Sequence, residues 1–214
     1  MGLTYLERPA AAEPEGLLVL HHGRGTDERD LLGLADVLDP DGRLRVVTPR
    51  APLRLPGSPG YHWYVVERVG HPDRDTFDAA RSGLAELHDE LWSAEGLGPG
   101  RTVLGGFSMG TVMSYAMALG EERPPVAGIL AFSGFVPVVE GWQPDFGEDR
   151  RGTRAFLAHG RADPVIEVGF GRRARDLLAE GGLDVDYRES DVAHQIDPRA
   201  IEPAAHWLRA VLGD

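Results

Sequence analysis

The chain predicts an α/β fold in which a mostly parallel sheet carries helices on both faces. Three observations support that expectation. A short, uninterrupted apolar run at 17–20 and the largely apolar runs at 44–48, 126–132 and 155–158 alternate with stretches whose apolar residues recur at helical spacing. Strands that are apolar throughout must be buried on both sides, which requires crossover helices above and below a parallel sheet. Glycine-rich or aromatic turns follow the strand ends, where ligands of such sheets gather. The chain has 214 residues, a size that one hydrophobic core can serve. No repeat, linker or low-complexity tract divides it, so a single domain over 1–214 is expected.

The first apolar run, 17–20, ends at His21-His22-Gly23-Arg24-Gly25. Leu31, Leu34, Ala35 and Leu38 then mark a helix over 28–38. A second strand, 44–48, stops at Pro49. The segment 49–72 is rich in Pro and Gly, contains Tyr61, Trp63 and Tyr64, and reads as a long functional loop. Phe77, Ala80, Leu84, Leu87 and Leu91 place a helix over 73–92, ended by glycines at 96, 98 and 100. A strand beginning at Thr102 runs into Gly106-Phe107-Ser108-Met109-Gly110 and a helix over 111–119. A buried strand over 126–132 leads to an irregular stretch, 134–147, bearing Phe135, Trp142 and Phe146. Then follow a strand at 155–158, a helix at 165–179, an alternating strand at 183–187 and a last helix at 201–212, with Asp197-Pro198 as its cap and first turn.

Composition narrows the function. Arginine supplies all 22 basic side chains against 34 acidic ones, giving a net charge of -12. That balance opposes binding to nucleic acid or anionic lipid and mildly disfavours polyanionic substrates. The sequence has no Cys, no Lys and no Asn. Thiol nucleophiles, thiolate metal sites, Schiff bases and the P-loop lysine are therefore excluded. No apolar run reaches the roughly 18 residues of a membrane span. The start lacks a signal-peptide pattern, so a cytoplasmic location is expected.

The strand–Gly-x-Ser-x-Gly–helix run reads as a nucleophile elbow, with Ser108 exposed on a tight turn and glycines where a Cβ would crowd the neighbouring strand and helix. A serine hydroxyl is a weak nucleophile until a base takes its proton. Eight histidines are available. His194 follows the last strand and is the candidate base. Asp163, after the strand at 155–158, is the candidate acid, and Asp-Pro is also a standard helix cap. The order Ser, acid, His suits this arrangement. The backbone amides of Met109 and Arg24 stand where oxyanion donors are needed. Trp63, Phe135 and Trp142 are candidates to line a substrate pocket, with core packing as their alternative. The pair His21-His22 lacks the spacing of a metal site, so neither metal nor cofactor is expected.

With these residues in place, the chain resembles the phospholipase/carboxylesterase family of α/β-hydrolases. Four blocks carry the resemblance: Leu20 to Gly25 with 27–32 after it, Gly105 to Gly110, Leu157 to Val165, and His194. It implies an α/β-hydrolase fold, a triad of Ser108, Asp163 and His194, and oxyanion amides from Arg24 and Met109. Dimers are common in the family, which makes a homodimer an implied partner state. His21 is an addition to the family's usual first loop. The segment 49–70 looks closer to the bacterial esterases than to the eukaryotic thioesterases. The expected activity is hydrolysis of small to medium carboxylic esters through an acyl-enzyme. Lysophospholipase or acyl-thioesterase activity is the alternative, and a catalytically silent ligand-binding protein is the reading outside enzymes.

Overall fold

The computed structural model describes residues 2–213. Its centre is a seven-stranded sheet built from β1 (Tyr5–Arg8), β2 (Gly16–His21), β3 (Leu44–Pro49), β8 (Thr102–Phe107), β9 (Gly128–Phe132), β10 (Arg154–Gly160) and β11 (Asp184–Ser190). The strand order is β1-β3-β2-β8-β9-β10-β11. Only β1 runs antiparallel, pairing with β3, and every other neighbour is parallel. The expected α/β-hydrolase-like architecture is therefore present.

Both faces of the central strands are dry, as their unbroken apolar sequences require. On one face Leu17, Val19, Leu104 and Ile129 pack against α2 (Arg74–Glu95), α3 (Met109–Ala118) and α4 (Val168–Glu180), with Phe77, Leu84 and Met113 among the partners. On the other, Leu18, Leu20, Val103 and Leu130 meet α1 (Leu34–Leu38) and α5 (Ile201–Leu212) through Ala35 and Leu208. Period-two alternation along β2 sends successive leucines to opposite layers. Truncating such a residue to Ala costs about 2–5 kcal/mol.

Four expectations are revised. The helix over 28–38 shrinks to α1, Leu34–Leu38, because 27–33 coils into turns. Asp27 accepts the Arg29 amide (2.9 Å) and so competes with helical pairing. Glu28 turns inward onto the Arg50 guanidinium (2.5 Å), which holds its carboxyl down to about 2. β1 went unseen in the sequence, since four half-exposed residues at an edge carry little apolar signal. The expected long loop, 49–72, contains two ribbons, β4 (Leu53–Arg54) with β5 (Tyr61–His62) and β6 (Val66–Arg68) with β7 (His71–Pro72). Finally, β11 extends past 187 and does not alternate cleanly. It is the far edge, guarded by Arg188–Asp186 and Arg172–Glu189 ion pairs.

Local signals set the remaining boundaries. Asp73 caps α2 by accepting the Thr76 amide (3.0 Å). Asp197 accepts the Arg199 amide (2.9 Å) and opens a 3-10 turn, 198–200, that leads into α5. The carboxyl ends of β2, β8 and β10 meet at one rim, and the loops of interest rise from that rim.

Candidate active site

Ser108 sits between β8 and α3 with φ 55° and ψ -119°, a left-handed conformation that costs a non-glycine residue on the order of 1–3 kcal/mol. Packing on all sides maintains it. The Ser108 amide donates to Phe132 O (2.9 Å), and the Thr111 hydroxyl bridges Gly106 O (2.7 Å) and Phe132 O (2.8 Å). A Cβ on Gly106 would lie 2.6 Å from the Gly110 carbonyl carbon, and one on Gly110 would collide with the His21 carbonyl. Strand, turn and helix can approach this closely only because both positions are bare.

The loops after β10 and β11 bring the other two side chains to this serine. Ser108 Oγ is 2.9 Å from His194 Nε2, and His194 Nδ1 is 2.6 Å from Asp163 Oδ2. A carboxylate only accepts, so Nδ1 carries the imidazole proton and Nε2 is left as the acceptor for the serine hydroxyl. Asp163 Oδ1 takes the amides of Val165 and Ile166 (both 2.8 Å), so its orientation is fixed by its own turn. These bonds close a turn and not a helix start, since α4 begins at Val168 after Glu167, so the cap expected of Asp163 is replaced by a turn. Phe107 lies against the His194 ring at 4.9 Å between centroids. His159, buried beneath, donates from Nε2 to Ile166 O (2.8 Å) and stands 3.6 Å from Asp163 Oδ2. Burial depresses the basicity of His159, and the nearby carboxylate partly offsets this.

Arg24 and Met109 border the space above Ser108. His22 organises the first of these loops. Its Nε2 accepts the Ala51 amide (3.0 Å), which places the proton on Nδ1 to donate to Gly23 O (2.7 Å). Trp63 Nε1 donates to His22 O (2.9 Å). Desolvation lowers the pKa of His22 and favours this neutral form.

Two clefts open on either side of the serine. One, about 390 Å³, runs past His194, Gln195, Phe107 and Asp30. The other, about 300 Å³, is bounded by Tyr64, Met109, Phe135 and Ile166. Of the three aromatic candidates, Phe135 is at the cleft wall. Trp63 and Trp142 are not. Trp63 is fully buried behind the first loop, and Trp142 packs edge-on against Phe77 in the core. Both are large apolar side chains whose best burial lies beneath the loops rather than on them. Sequence reading missed Tyr64, Val66, Arg68 and Val69 as cleft residues. The available signal was the aromatic run at 61–64 followed by Val65 and Val66, inside a segment already marked as a functional loop. The adjacent histidines 21 and 22 diverge to opposite sides of their strand end, and no His/Cys/Asp/Glu group among the described residues could hold a metal ion.

Residues 7–212 match the family model described as Phospholipase/Carboxylesterase. The chain belongs to that family. An acyl-protein thioesterase 1 of Emericella nidulans is 28% identical, with the match covering 95% of this chain and 93% of that protein. A putative hydrolase, MhqD, of Bacillus subtilis is 25% identical, with 92% and 94% covered. Among solved structures, esterase PE8 superposes with a TM-score of 0.82 at 29% identity, covering 99% of this chain and 100% of that one. A Bacillus cereus carboxylesterase superposes at 0.84 with 22% identity, covering 98% and 94%, a likeness of fold. No helix among the described residues is long and apolar enough to cross a membrane.

Proposed function

We propose that this chain is a single-domain serine carboxylesterase, cytoplasmic and free of cofactor, acting on small-molecule esters. The observation that carries the reading is the unbroken row from Ser108 Oγ through His194 to Asp163, at 2.9 and 2.6 Å. In the proposed mechanism Ser108 Oγ attacks the ester carbonyl carbon while its proton passes to His194 Nε2. The imidazolium is stabilised by Asp163. The tetrahedral oxyanion accepts the backbone amides of Arg24 and Met109. As the carbon–oxygen bond breaks, His194 returns the proton to the departing alcohol. Water, deprotonated by the same nitrogen, then attacks the acyl-enzyme, and Ser108 recovers its proton as the acid leaves.

This chemistry also orients the substrate. The departing oxygen must approach His194 Nε2, so the alcohol occupies the cleft that His194 and Gln195 line. The acyl group occupies the cleft beyond Met109 and Phe135. A series of 4-nitrophenyl esters from acetate to decanoate, run on wild type and Ser108→Ala, tests the reading. The variant should lose turnover by about 10⁴-fold or more. It should also lose labelling by a fluorophosphonate, and undiminished turnover would reject the assignment.

One observation favours the second reading, a lysophospholipase or acyl-thioesterase. Val65, Val66, Val69, Val138 and Val165 are exposed, and Val66, Val69 and Val165 border the acyl cleft. An apolar rim of that kind would welcome a long chain. Preference for decanoate and for acyl thioesters over short oxygen esters would establish it.

A further inference from the structure

Arginine is the sole basic side chain here besides histidine, and the 34 carboxylates outnumber the 22 guanidinium groups. Most of the arginines are accordingly engaged. Arg50 clamps Glu28, Arg161 and Arg172 share Glu189, Arg123 reaches Asp89, and Arg199 chelates Asp197. Arg24 and Arg68 differ. Neither forms an ion pair among the described side chains, although both border the same cleft of about 300 Å³ as Ser108. No carboxylate is among the described residues lining that cleft. In a protein of net charge -12, two unneutralised cations facing one small space stand out against the surface average.

The placement of the two differs in a useful way. Arg24 follows Gly23 in the loop after β2 and borders both clefts. Arg68 ends β6, on the wall formed with Val66 and Val69 and away from His194. Between them the floor is apolar, formed by Met109, Phe135 and Ile166. Two like charges that border one cleft repel each other, and an anion placed between or beside them relieves the repulsion. The planar guanidinium fork matches carboxylate and phosphate oxygens bidentately, which a water shell does not reproduce.

We propose that the acyl group this enzyme accepts ends in an anion, a short apolar chain bearing a terminal carboxylate or phosphate, with Arg68 as the residue that binds it. The inference rests on the hydrolase reading above and deepens it, because it assigns the substrate class of the acyl cleft. The acidic exterior is expected to disfavour polyanions, whereas this cleft is bordered by two arginines and no described carboxylate. Arg68 is a specificity residue. The reacting atoms stay with Ser108, His194 and Asp163.

A matched pair of substrates tests this, mono(4-nitrophenyl) adipate and 4-nitrophenyl heptanoate, which are similar in length and differ in the terminal charge. On wild type the adipate ester should have the higher kcat/KM. Arg68→Gln should lower kcat/KM for the adipate ester by about tenfold or more, as loss of a hydrogen bond to a charged group predicts. Turnover of the heptanoate ester should hold, and Arg68→Lys should recover part of the loss. An unchanged ratio between the two esters in Arg68→Gln overturns the proposal. A measurement that needs no variant runs alongside: adipate should inhibit heptanoate ester hydrolysis by the wild-type enzyme more tightly than adipamide does, and equal inhibition also overturns it. If wild type releases nitrophenolate from neither ester and a fluorophosphonate leaves Ser108 unlabelled, the hydrolase reading fails, and this one with it. Turnover of the heptanoate ester with indifference to charge defeats the anion assignment alone.

Discussion

His22 and His21 are neighbours in sequence and equally buried, yet the fold treats them differently. Both ring nitrogens of His22 have partners, the Ala51 amide and the Gly23 carbonyl. His21 points the other way, beneath the elbow. The Ser114 hydroxyl donates to Gly110 O (3.0 Å), so its lone pair is free for His21 Nδ1–H (2.9 Å), and His21 Nε2 has no partner among the described residues. The ring of His88 lies 5.8 Å away with neither nitrogen partnered. Burial holds His88 down to about 3 and drives His21 well below its ordinary value. Burial alone therefore does not mark a working histidine. His194 and His22 are distinguished by complete polar pairing that fixes one tautomer, and His21 and His88 by the lack of it.

The largest effect belongs to the fully paired class. His194→Ala should reduce kcat by about 10⁴-fold or more while leaving the midpoint of urea unfolding nearly unchanged. A variant that unfolds instead would erase the distinction between working and structural histidines. His22→Leu strands the Ala51 amide and removes one of two donors to the Gly23 carbonyl, which keeps the Thr26 hydroxyl, costing about 1–3 kcal/mol in denaturant titrations. It should also lower kcat, since the loop carrying the Arg24 amide loses its anchor.

The unpaired histidines give a pH signature. Unfolded, each has an ordinary pKa near 6.5, whereas in the fold His88 titrates at about 3. Between these values the unfolded chain binds more protons, so stability falls as pH drops below about 6.5. The slope is up to about 1.4 kcal/mol per pH unit for each such histidine. Urea midpoints measured from pH 8 to 4 should show this decline, and His88→Leu should flatten it. An equal slope in the variant would place the acid sensitivity elsewhere. The smallest effect separates the two tryptophans. Trp63→Phe loses a hydrogen bond to His22 O and should cost more than Trp142→Phe, whose indole N–H has no partner to lose.

Sequence made the chemistry more legible than the pocket. Ser108, Asp163 and His194, which the fold brings within hydrogen-bond reach of one another, are each tied to a local backbone motif: a glycine-flanked turn, an Asp-Pro turn and a loop after the last strand. The Arg24 and Met109 positions followed from the same strand ends. The lining was not readable in this way. Aromatic residues in loops look alike whether they face solvent or the core, and Trp63 and Trp142 turned inward, where their large apolar area is best buried. Val66, Arg68 and Val69, which reach the cleft, sit on the β6–β7 ribbon, whose register depends on a turn and not on periodicity. The short β1 and the abbreviated α1 escaped for a related reason. At β1 an exposed edge ladder, and at α1 single side-chain bonds of Asp27 and Glu28, decide the local path without apolar patterning.

Ser108 and its two partners are held by regions of unequal security. The serine stands at the end of β8, a central strand flanked by β2 and β9, whereas Asp163 and His194 hang from β10 and β11, the last two strands before open solvent. β11 has no fully buried residue and depends on surface ion pairs for its outer margin. Fraying that begins at this margin would withdraw the imidazole while most of the sheet still holds. Turnover would then act as a sensor of the weak flank, fading on warming before the bulk of the molecule melts.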